Sequence, residues 1–329
     1  MSLVVCGVVL LLLLTWVWGT QPLFFTVERP PLPPVSPAQL ATHVRMLSET
    51  FFPRDITHPD NLDRAATYIR HAFERARGRV SEQPYTVAGR TYRNVLALFG
   101  PDTKERIVVG AHYDTAGIRP GADDNASGVA GLIELASLLR ETSLPLCVEL
   151  VAFTLEEEPH LHHAPMGSAV HATSLRQHNI PVRVMFSLEM IGYFTDAPHS
   201  QRFPLPFLAA VYPSQGNFIA IVGNLSQGFV TRQIKHAMRS ASPLPVYSFN
   251  APRFVPGVDF SDHRNYWQAG YPAVMVTDTA FYRNEHYHTM QDTADTLDYQ
   301  RMALVVQGVY AAVVASARAK SPLLRSVSP

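Results

Sequence analysis

The sequence predicts an α/β fold of three layers, in which a central, mostly parallel but mixed β-sheet is flanked by helices. Apolar runs of strand length, such as residues 107–111 and 148–153, alternate with stretches of helical periodicity along much of the chain. Polar residues that can bind metals directly follow several of these runs. Open α/β sheets bind ligands at the carboxyl ends of their strands, so the same pattern predicts where a site should lie.

The first 20 residues form an apolar segment that we expect to be a signal peptide or an N-terminal membrane anchor. Residues 3–19 carry no charged side chain, and the first one in the chain is Glu28. The run exceeds the usual core of a cleaved signal and approaches the length of a bilayer span, which favours an uncleaved anchor. A cut after Gly19 is also compatible with the small side chains of Val17 and Gly19. We therefore expect the body of the chain to be extracytoplasmic, whether secreted, periplasmic or anchored to the membrane.

Composition sets the domain organisation. Residues 21–36 are rich in proline and predict a stiff linker, residues 37–320 form one α/β domain, and residues 321–329 form a tail.

The 27 basic residues equal the 27 acidic ones, which excludes nucleic acid as an expected partner. Cys6 and Cys147 are the only cysteines, so no disulfide framework is expected.

The first half of the domain contains two helices followed by a series of strands. Ser36 and Pro37 resemble a helix cap with a proline in the first turn, and the apolar residues after them have helical spacing. A second helix is predicted from Leu62 to Phe73, ending before Gly78. Strands are predicted at residues 82–87, 94–99, 107–111 and 148–153, with a helix at residues 126–140 between the last two.

The second half has fewer clear signals. Residues 183–190 and 273–276 are apolar and predict buried strands, and the periodicity after residue 299 predicts a terminal helix. Between them, residues 218–222 are compatible with a strand and residues 227–239 with a helix. We expect the rest of residues 196–260 to be proline-containing loop at the rim of the site.

Six polar residues come together if the strand ends share one edge of the sheet. Each alone is a weak signal, because a histidine two positions before an aspartate is common by chance and three glutamates in a row are usually a solvated face. Two histidines with several carboxylates and no cysteine nevertheless form a ligand set suited to zinc. The set is His112, Asp124, Glu156, Glu157, Glu189 and His288.

The sequence resembles the M28 family of zinc peptidases, which are co-catalytic aminopeptidases with a phosphorylase/hydrolase-like fold. The resemblance covers motifs that occur in family order between Ala111 and Thr289. They are residues 111–115 (AHYDT), 121–128 (GADDNASG), 153–157 (FTLEE), 166–168 (MGS), 188–193 (LEMIGY), 261–263 (SDH) and 287–289 (YHT).

The resemblance implies a centre with two zinc ions per chain. Asp124 would bridge both ions, with His112 and Glu189 completing one site and Glu157 and His288 the other. The two ions would lower the pKa of a shared bridging water and polarise the scissile carbonyl of a peptide substrate. It also implies that the peptide bond between Asp124 and Asn125 is cis.

Three further residues receive roles from the resemblance. Glu156 would be the general base, because a carboxylate beside the ions that is not itself a ligand can move protons. Asp114 would orient His112 by accepting the other imidazole N–H. The phenol of Tyr287 would stabilise the oxyanion, against the alternative that it only packs.

The chain departs from the family pattern at two places. The family often has aspartate where Glu189 stands, which keeps Asp196 as a rival ligand. After Glu157 the chain carries three histidines outside the shared motifs, which we interpret as a solvated loop, with substrate contact or accessory metal capture as the alternative. They are His160, His162 and His163. His263 is expected to be a structural hydrogen-bonding residue.

Three functions are compatible with these residues. The leading hypothesis is a metallo-aminopeptidase acting on peptides, with a membrane contact through the N-terminal segment if that segment is not cleaved. The second is a glutaminyl cyclase, an acyltransferase that resembles this fold but uses a single zinc ion. The third is an inactive binding domain, which the complete set of ligands and the base disfavours.

Overall fold

The computed structural model describes residues 6–8, 10, 11, 14, 32–161, 163 and 165–319. Most of the predicted signal or anchor segment, most of the linker, and the tail lie outside the described residues. The described part contains eight strands and seven α-helices of six residues or more. The helices are α1 (Pro37–Arg45), α2 (Pro59–Arg75), α3 (Gly128–Leu139), α4 (Gly167–Gln177), α5 (Gly228–Ala241), α6 (His263–Gln268) and α7 (Tyr299–Arg318).

The strands form one mixed sheet, as predicted. They are β1 (Arg79–Val87), β2 (Arg90–Phe99), β3 (Arg106–His112), β4 (Cys147–Phe153), β5 (Val182–Glu189), β6 (Ile219–Gly223), β7 (Val246–Asn250) and β8 (Ala273–Thr277). Their order across the sheet is β1-β2-β4-β3-β5-β8-β6-β7. Strands β4, β3, β5 and β8 are mutually parallel, whereas β1, β2 and the β6–β8 pair introduce antiparallel contacts.

The central strands are apolar because both faces of the sheet are covered. Strands β3, β4 and β5 are almost entirely buried, which explains their continuous rather than alternating apolar pattern. One face packs against α1, α2, α3, α5 and α7. The other packs against α4 and α6. This gives the three predicted layers.

Local sequence signals define the ends of the outer helices. The Ser36 side chain accepts a hydrogen bond from the Gln39 backbone N–H at 3.3 Å, and Pro37 occupies the first turn of α1. At the start of α7, the carboxylate of Asp298 accepts from the Arg301 backbone N–H at 2.9 Å. Among the described helices, α7 is long and apolar enough to cross a membrane, but half of it is buried against the fold, which accounts for its composition.

Three elements were not predicted. Helices α4 and α6 lie in stretches for which no element was predicted, and strand β7 lies where a loop was expected within residues 196–260. The carboxyl ends of β4, β3 and β5 meet at one edge of the sheet because these strands are adjacent and parallel. That edge receives the loops that carry the candidate site.

Candidate active site

The six candidate residues lie together at this edge. His112 is the last residue of β3 and Glu189 the last residue of β5, while Glu156 and Glu157 follow β4. Asp124 comes from the turn before α3, and His288 from the loop after β8. The fold therefore brings together side chains that are up to 176 positions apart, from His112 to His288.

Asp124 lies between two groups of donor atoms. Its Oδ1 atom is 3.4 Å from Nε2 of His112, and that nitrogen is 3.4 Å from Oε1 of Glu189. Its Oδ2 atom is 3.0 Å from Nε2 of His288, which is 3.4 Å from Oε2 of Glu157. One carboxylate thus offers one oxygen to each group. The peptide bond between Asp124 and Asn125 is cis, as the resemblance implied.

The donor atoms fit divalent cations such as zinc. Zinc with bonds of about 2.0–2.1 Å in tetrahedral geometry places its ligand atoms roughly 3.3 Å apart, close to the separations found here. Within the described part of the chain, Nε2 of His288 and Oε1 of Glu157 are buried without a hydrogen-bond partner. Nε2 of His288 lies near two carboxylates without forming a hydrogen bond with either, as expected of atoms that share a third partner.

The electrostatics of the cluster favour the same interpretation. Four carboxylates surround two imidazoles, and all six side chains are buried or half-buried. Burial lowers the pKa of His288, but Asp124 and Glu157 outweigh it and raise this pKa to about 10. Burial raises the pKa of Glu157 to about 7, with the Asp124 charge adding to the effect. Such a concentration of negative charge is stabilised by cations.

Glu156 lies beside both groups. Its Oε2 atom is 3.8 Å from Nε2 of His112, farther than the corresponding oxygens of Asp124 and Glu189. It also shares a possible metal-binding group with His112 and Glu157. Burial, together with the charges of Glu189 and Glu157, raises the pKa of Glu156 well above its usual value, despite the opposing effect of His112.

Asp114 contacts the glutamate pair more closely than it contacts the imidazole. Its carboxylate accepts hydrogen bonds from the backbone N–H groups of Glu156 at 3.2 Å and Glu157 at 3.1 Å. The Nδ1 atom of His112 is 3.6 Å from Oδ1 of Asp114, which exceeds hydrogen-bonding distance. The role of Asp114 in orienting His112 stays a prediction, and the same carboxylate fixes the backbone that carries both glutamates.

Two side chains hold the Asp124 turn, and neither side chain received a role in the sequence analysis. Asp292 accepts from the backbone N–H groups of Asp123 at 2.8 Å and Asp124 at 3.1 Å. Asn125 donates through Nδ2 to the carbonyl of Leu188 at 2.8 Å and accepts through Oδ1 from the N–H of Met190 at 3.1 Å. Asn125 thus links the turn to both neighbours of Glu189.

A third unanticipated residue acts on Glu189 directly. The hydroxyl of Ser261 donates to Oε2 of Glu189 at 2.7 Å, and it lies 2.9 Å from the hydroxyl of Ser187. This leaves Oε1 of Glu189 facing His112. Ser261 belongs to one of the shared motifs, but its contact depends on the fold.

Tyr287 lies next to the cluster. Its ring stacks on that of His288, with 3.8 Å between centroids. Burial and the charges of Asp124 and Glu157 raise the pKa of Tyr287 strongly, so the phenol keeps its proton. It can therefore donate a hydrogen bond.

The other candidates lie outside the cluster. Asp196 is exposed and interacts with Arg301 and Asn217, so it is not a rival ligand. His263 is buried and donates through Nε2 to the carbonyl of Val258 at 2.8 Å, the structural role expected of it. Within the loop after Glu157, His160 is half-buried, His163 is exposed and His162 lies outside the described residues.

An open α/β sheet whose strand ends carry two imidazoles and four carboxylates is the arrangement of a metal-dependent hydrolase. Residues 94–313 match the model of a protein family that is described as Peptidase family M28. The chain is 50% identical over 282 residues to the uncharacterized protein YfbL of Escherichia coli strain K12, which covers 83% of this chain and 86% of that protein. The chain belongs to peptidase family M28 and is a peptide hydrolase.

More distant relatives are aminopeptidases. The chain is 24% identical over 221 residues to leucine aminopeptidase 1 of Ajellomyces dermatitidis, covering 64% of this chain and 52% of that protein. The chain therefore spans about half the length of that relative.

Solved structures share the fold. The LapA aminopeptidase of Legionella pneumophila has a TM-score of 0.69 at 20% identity, covering 87% of this chain and 73% of that one. A zinc aminopeptidase from Bacillus subtilis has a TM-score of 0.67 at 15% identity, covering 86% and 95%. A glutaminyl cyclase from Bacteroides thetaiotaomicron has a TM-score of 0.66 at 18% identity, covering 87% and 99%.

Proposed function

We propose that the chain is a zinc-dependent aminopeptidase that removes N-terminal residues from peptides and holds two zinc ions. The observation that carries the proposal is the position of Asp124, whose two carboxylate oxygens belong to different donor groups. His112 and Glu189 complete one group, and Glu157 and His288 complete the other. A carboxylate placed in this way can bridge two neighbouring ions.

The residues around the cluster supply the remaining chemistry. When bound, zinc would polarise the scissile carbonyl and make a water molecule more acidic. Glu156 accepts the proton of the attacking water and returns it to the leaving amine. Asp114 keeps Glu156 in place through its backbone. The protonated phenol of Tyr287 donates a hydrogen bond to the oxygen on which negative charge develops.

The test uses the full chain with saturating zinc and leucyl-4-nitroanilide. Replacing a general base costs on the order of 10²- to 10⁴-fold in rate, so Glu156→Gln should lose nearly all turnover and keep its zinc. Glu158→Gln is the matched control, because Glu158 is the exposed neighbour of Glu157 and should leave the rate unchanged. Full activity of Glu156→Gln would remove Glu156 from the mechanism.

A glutaminyl cyclase is the second candidate, because a solved cyclase shares the fold. A peptide with N-terminal glutamine distinguishes the two reactions. An aminopeptidase releases free glutamine, whereas a cyclase releases ammonia and leaves the peptide bond intact. Ammonia release without cleavage would favour the cyclase, and no turnover of any substrate would favour a binding domain.

We also propose that the enzyme acts outside the cytoplasm on peptide substrates, either released after cleavage of its first 20 residues or held at the membrane by them. The uninterrupted apolar run of residues 3–19 supports this location. Cell fractionation and N-terminal sequencing of the mature protein test it. A soluble cytoplasmic protein with an intact first segment would contradict the proposal.

A further inference from the structure

Two neighbouring helices on one face of the sheet, α5 and α7, lie in stretches without acidic residues. Residues 197–258 and 299–329 contain no aspartate or glutamate, although the whole chain has 27 acidic residues. The two helices pack against each other, with Met238 of α5 beside Gly308 of α7. They therefore form a continuous surface to which neither helix contributes a negative side chain.

The outward stripe of α5 begins with two exposed apolar side chains. Leu225, just before the helix, is 66% exposed, and Phe229, one turn later, is 60% exposed. Polar residues continue the stripe at helical spacing, at positions that are exposed or half-buried. They are Arg232, Gln233, His236 and Arg239. The stripe is thus apolar at its start and basic further along.

The outward stripe of α7 is mostly apolar. Its exposed and half-buried positions recur every three or four residues along the helix. They are Leu304, Gln307, Ala311, Val314, Ala315 and Arg318. Apolar side chains thus form most of the stripe, and a cation stands at its end. We call the outward stripes of the two helices, together with Leu225, the α5–α7 face.

The linker joins the domain on this face. Nε2 of Gln307 donates to the carbonyl of Pro33 at 3.3 Å. Because Gln307 lies within the outward stripe of α7, the chain that leads back to the apolar residues 3–19 departs from the α5–α7 face. Residues 20–32 can extend at most about 47 Å. A bilayer that holds residues 3–19 would therefore lie within that distance of the α5–α7 face.

An anionic lipid surface fits both properties of the face. Exposed phenylalanine and leucine side chains enter the boundary between headgroups and acyl chains, and basic side chains attract anionic headgroups. A second copy of the chain fits less well. In a symmetric dimer through this face the cations of the two copies would stand opposite one another, with no carboxylate of either helix to pair with them.

We propose that the α5–α7 face lies on the surface of a bilayer that contains anionic phospholipid. This contact goes beyond the peptidase reaction and does not depend on it. Helices α5 and α7 cover one face of the sheet, whereas the candidate site lies at the edge formed by the strand ends. A domain that rests on this face therefore keeps its site open to peptides beside the membrane.

A fluorescent label on the face tests the proposal. The full chain with Cys6→Ser and Phe229→Cys is labelled with a nitrobenzoxadiazole group, and Cys147, which is 1% exposed, should not react. The vesicles contain phosphatidylcholine, about 30% phosphatidylglycerol and a lipid with a quenching spin label near its headgroup. Vesicles should lower the emission at position 229 at least about twofold. Ile118→Cys, 57% exposed in the loop after β3, is the control, and equal quenching at both positions would overturn the proposal.

Charge reversal tests the part played by anionic lipid. Each basic side chain near an anionic surface contributes about fivefold in affinity, so Arg239→Glu combined with Arg318→Glu should reduce the quenching at position 229 by at least about half. Arg90→Glu combined with Lys104→Glu changes two exposed cations outside the face and should leave the quenching unchanged. Quenching that survives the first pair of changes, or that is as strong in phosphatidylcholine alone, would contradict the proposal.

Two further outcomes would overturn the proposal in different ways. If the label at position 229 becomes shielded in detergent without phospholipid, in proportion to protein concentration, a second copy covers the face. If residues 3–19 hold the chain in the vesicles and the label stays unquenched, the chain is anchored but its α5–α7 face does not touch lipid. Peptidase activity does not enter the measurement, so failure of the proposed aminopeptidase function would leave these results unchanged.

Discussion

The carboxylate of Asp292 accepts a hydrogen bond from the backbone N–H of Asp124 at 3.1 Å, while its other oxygen accepts from Asp123 at 2.8 Å. Asp292 and Asp124 are both buried. The loop that carries His288 is thereby tied to the turn that carries the shared carboxylate. Each of the two donor groups depends on this turn, so Asp292 is expected to set the geometry of the whole cluster.

Asp292→Asn should weaken zinc binding about 10- to 100-fold, the range measured for residues that orient metal ligands. An amide has one acceptor oxygen for two N–H donors, and its NH₂ group would face the second donor. Competition with a chromophoric chelator measures the affinity. Asp295→Asn is the control, because Asp295 is exposed and its contact with Arg45 lies at the surface. Equal affinities of the two variants would contradict this role.

Arg54 is fully buried and donates to four backbone carbonyls around the site, those of Leu47, Tyr113, Pro120 and Gly121. Arg54→Met would leave these carbonyls without a partner, at about 1–3 kcal/mol for each buried group. We expect the free energy of unfolding, measured with urea and without zinc, to fall by at least about 3 kcal/mol. Arg90→Met, at an exposed position, should lower the free energy of unfolding by less than about 0.5 kcal/mol. A similar loss for both variants would show that Arg54 has no special role.

Ser261 holds one oxygen of Glu189 at 2.7 Å. Ser261→Ala should free this carboxylate to rotate, and zinc affinity of the group that contains His112 should fall about tenfold. Titration with zinc should then show one weakened site and one site of unchanged affinity. Ser143→Ala, at an exposed position, provides the baseline. If the zinc affinity of both sites stays unchanged in Ser261→Ala, Ser261 does not position Glu189 for metal binding.

Lys235 is 1% exposed in α5, and burial, with the charge of Arg239 adding to it, lowers its pKa to about 7. The unfolded chain holds this proton up to its ordinary pKa near 10.4, so it binds more protons than the folded chain between about pH 7 and 10. In that window the stability of the wild type relative to Lys235→Met should therefore rise, by up to about 1.4 kcal/mol per pH unit.

Urea unfolding at pH 7.5, 8.5 and 9.5 measures this difference. Groups that titrate in both proteins cancel when the two are subtracted. Lys104→Met, at an exposed position, should show no such dependence. A difference between wild type and Lys235→Met that stays constant with pH would contradict the lowered pKa.

Much of the fold could be predicted because apolar periodicity is a local property. Strands β3, β4 and β5 are buried on both faces, and their sequences show this as continuous apolar runs. Strand β7 has five residues and lies at the sheet edge, so its pattern is weak. Helix α4 begins at Gly167 without a capping side chain, and α6 has only six residues.

The candidate site, like the fold, could be predicted only in part. The residues that form the cluster stand in recognisable motifs, and the structure brings them together. The contacts of the residues that hold the cluster could not be predicted, because they join distant positions: Asp292 reaches back 168 residues to Asp124, and Ser261 reaches 72 to Glu189. Asp114 was identified, but its hydrogen bonds to the backbone of the two glutamates were not expected. No local pattern specifies which backbone groups a carboxylate will meet.

The zinc content of the full chain and of Asp124→Ala, measured by elemental analysis after dialysis against a slight excess of zinc, tests the central claim most directly. We predict two zinc atoms per wild-type chain and fewer than one in the variant, because Asp124 contributes an oxygen to both donor groups. One zinc atom in the wild type, or two in Asp124→Ala, would contradict a centre in which this carboxylate joins two ions.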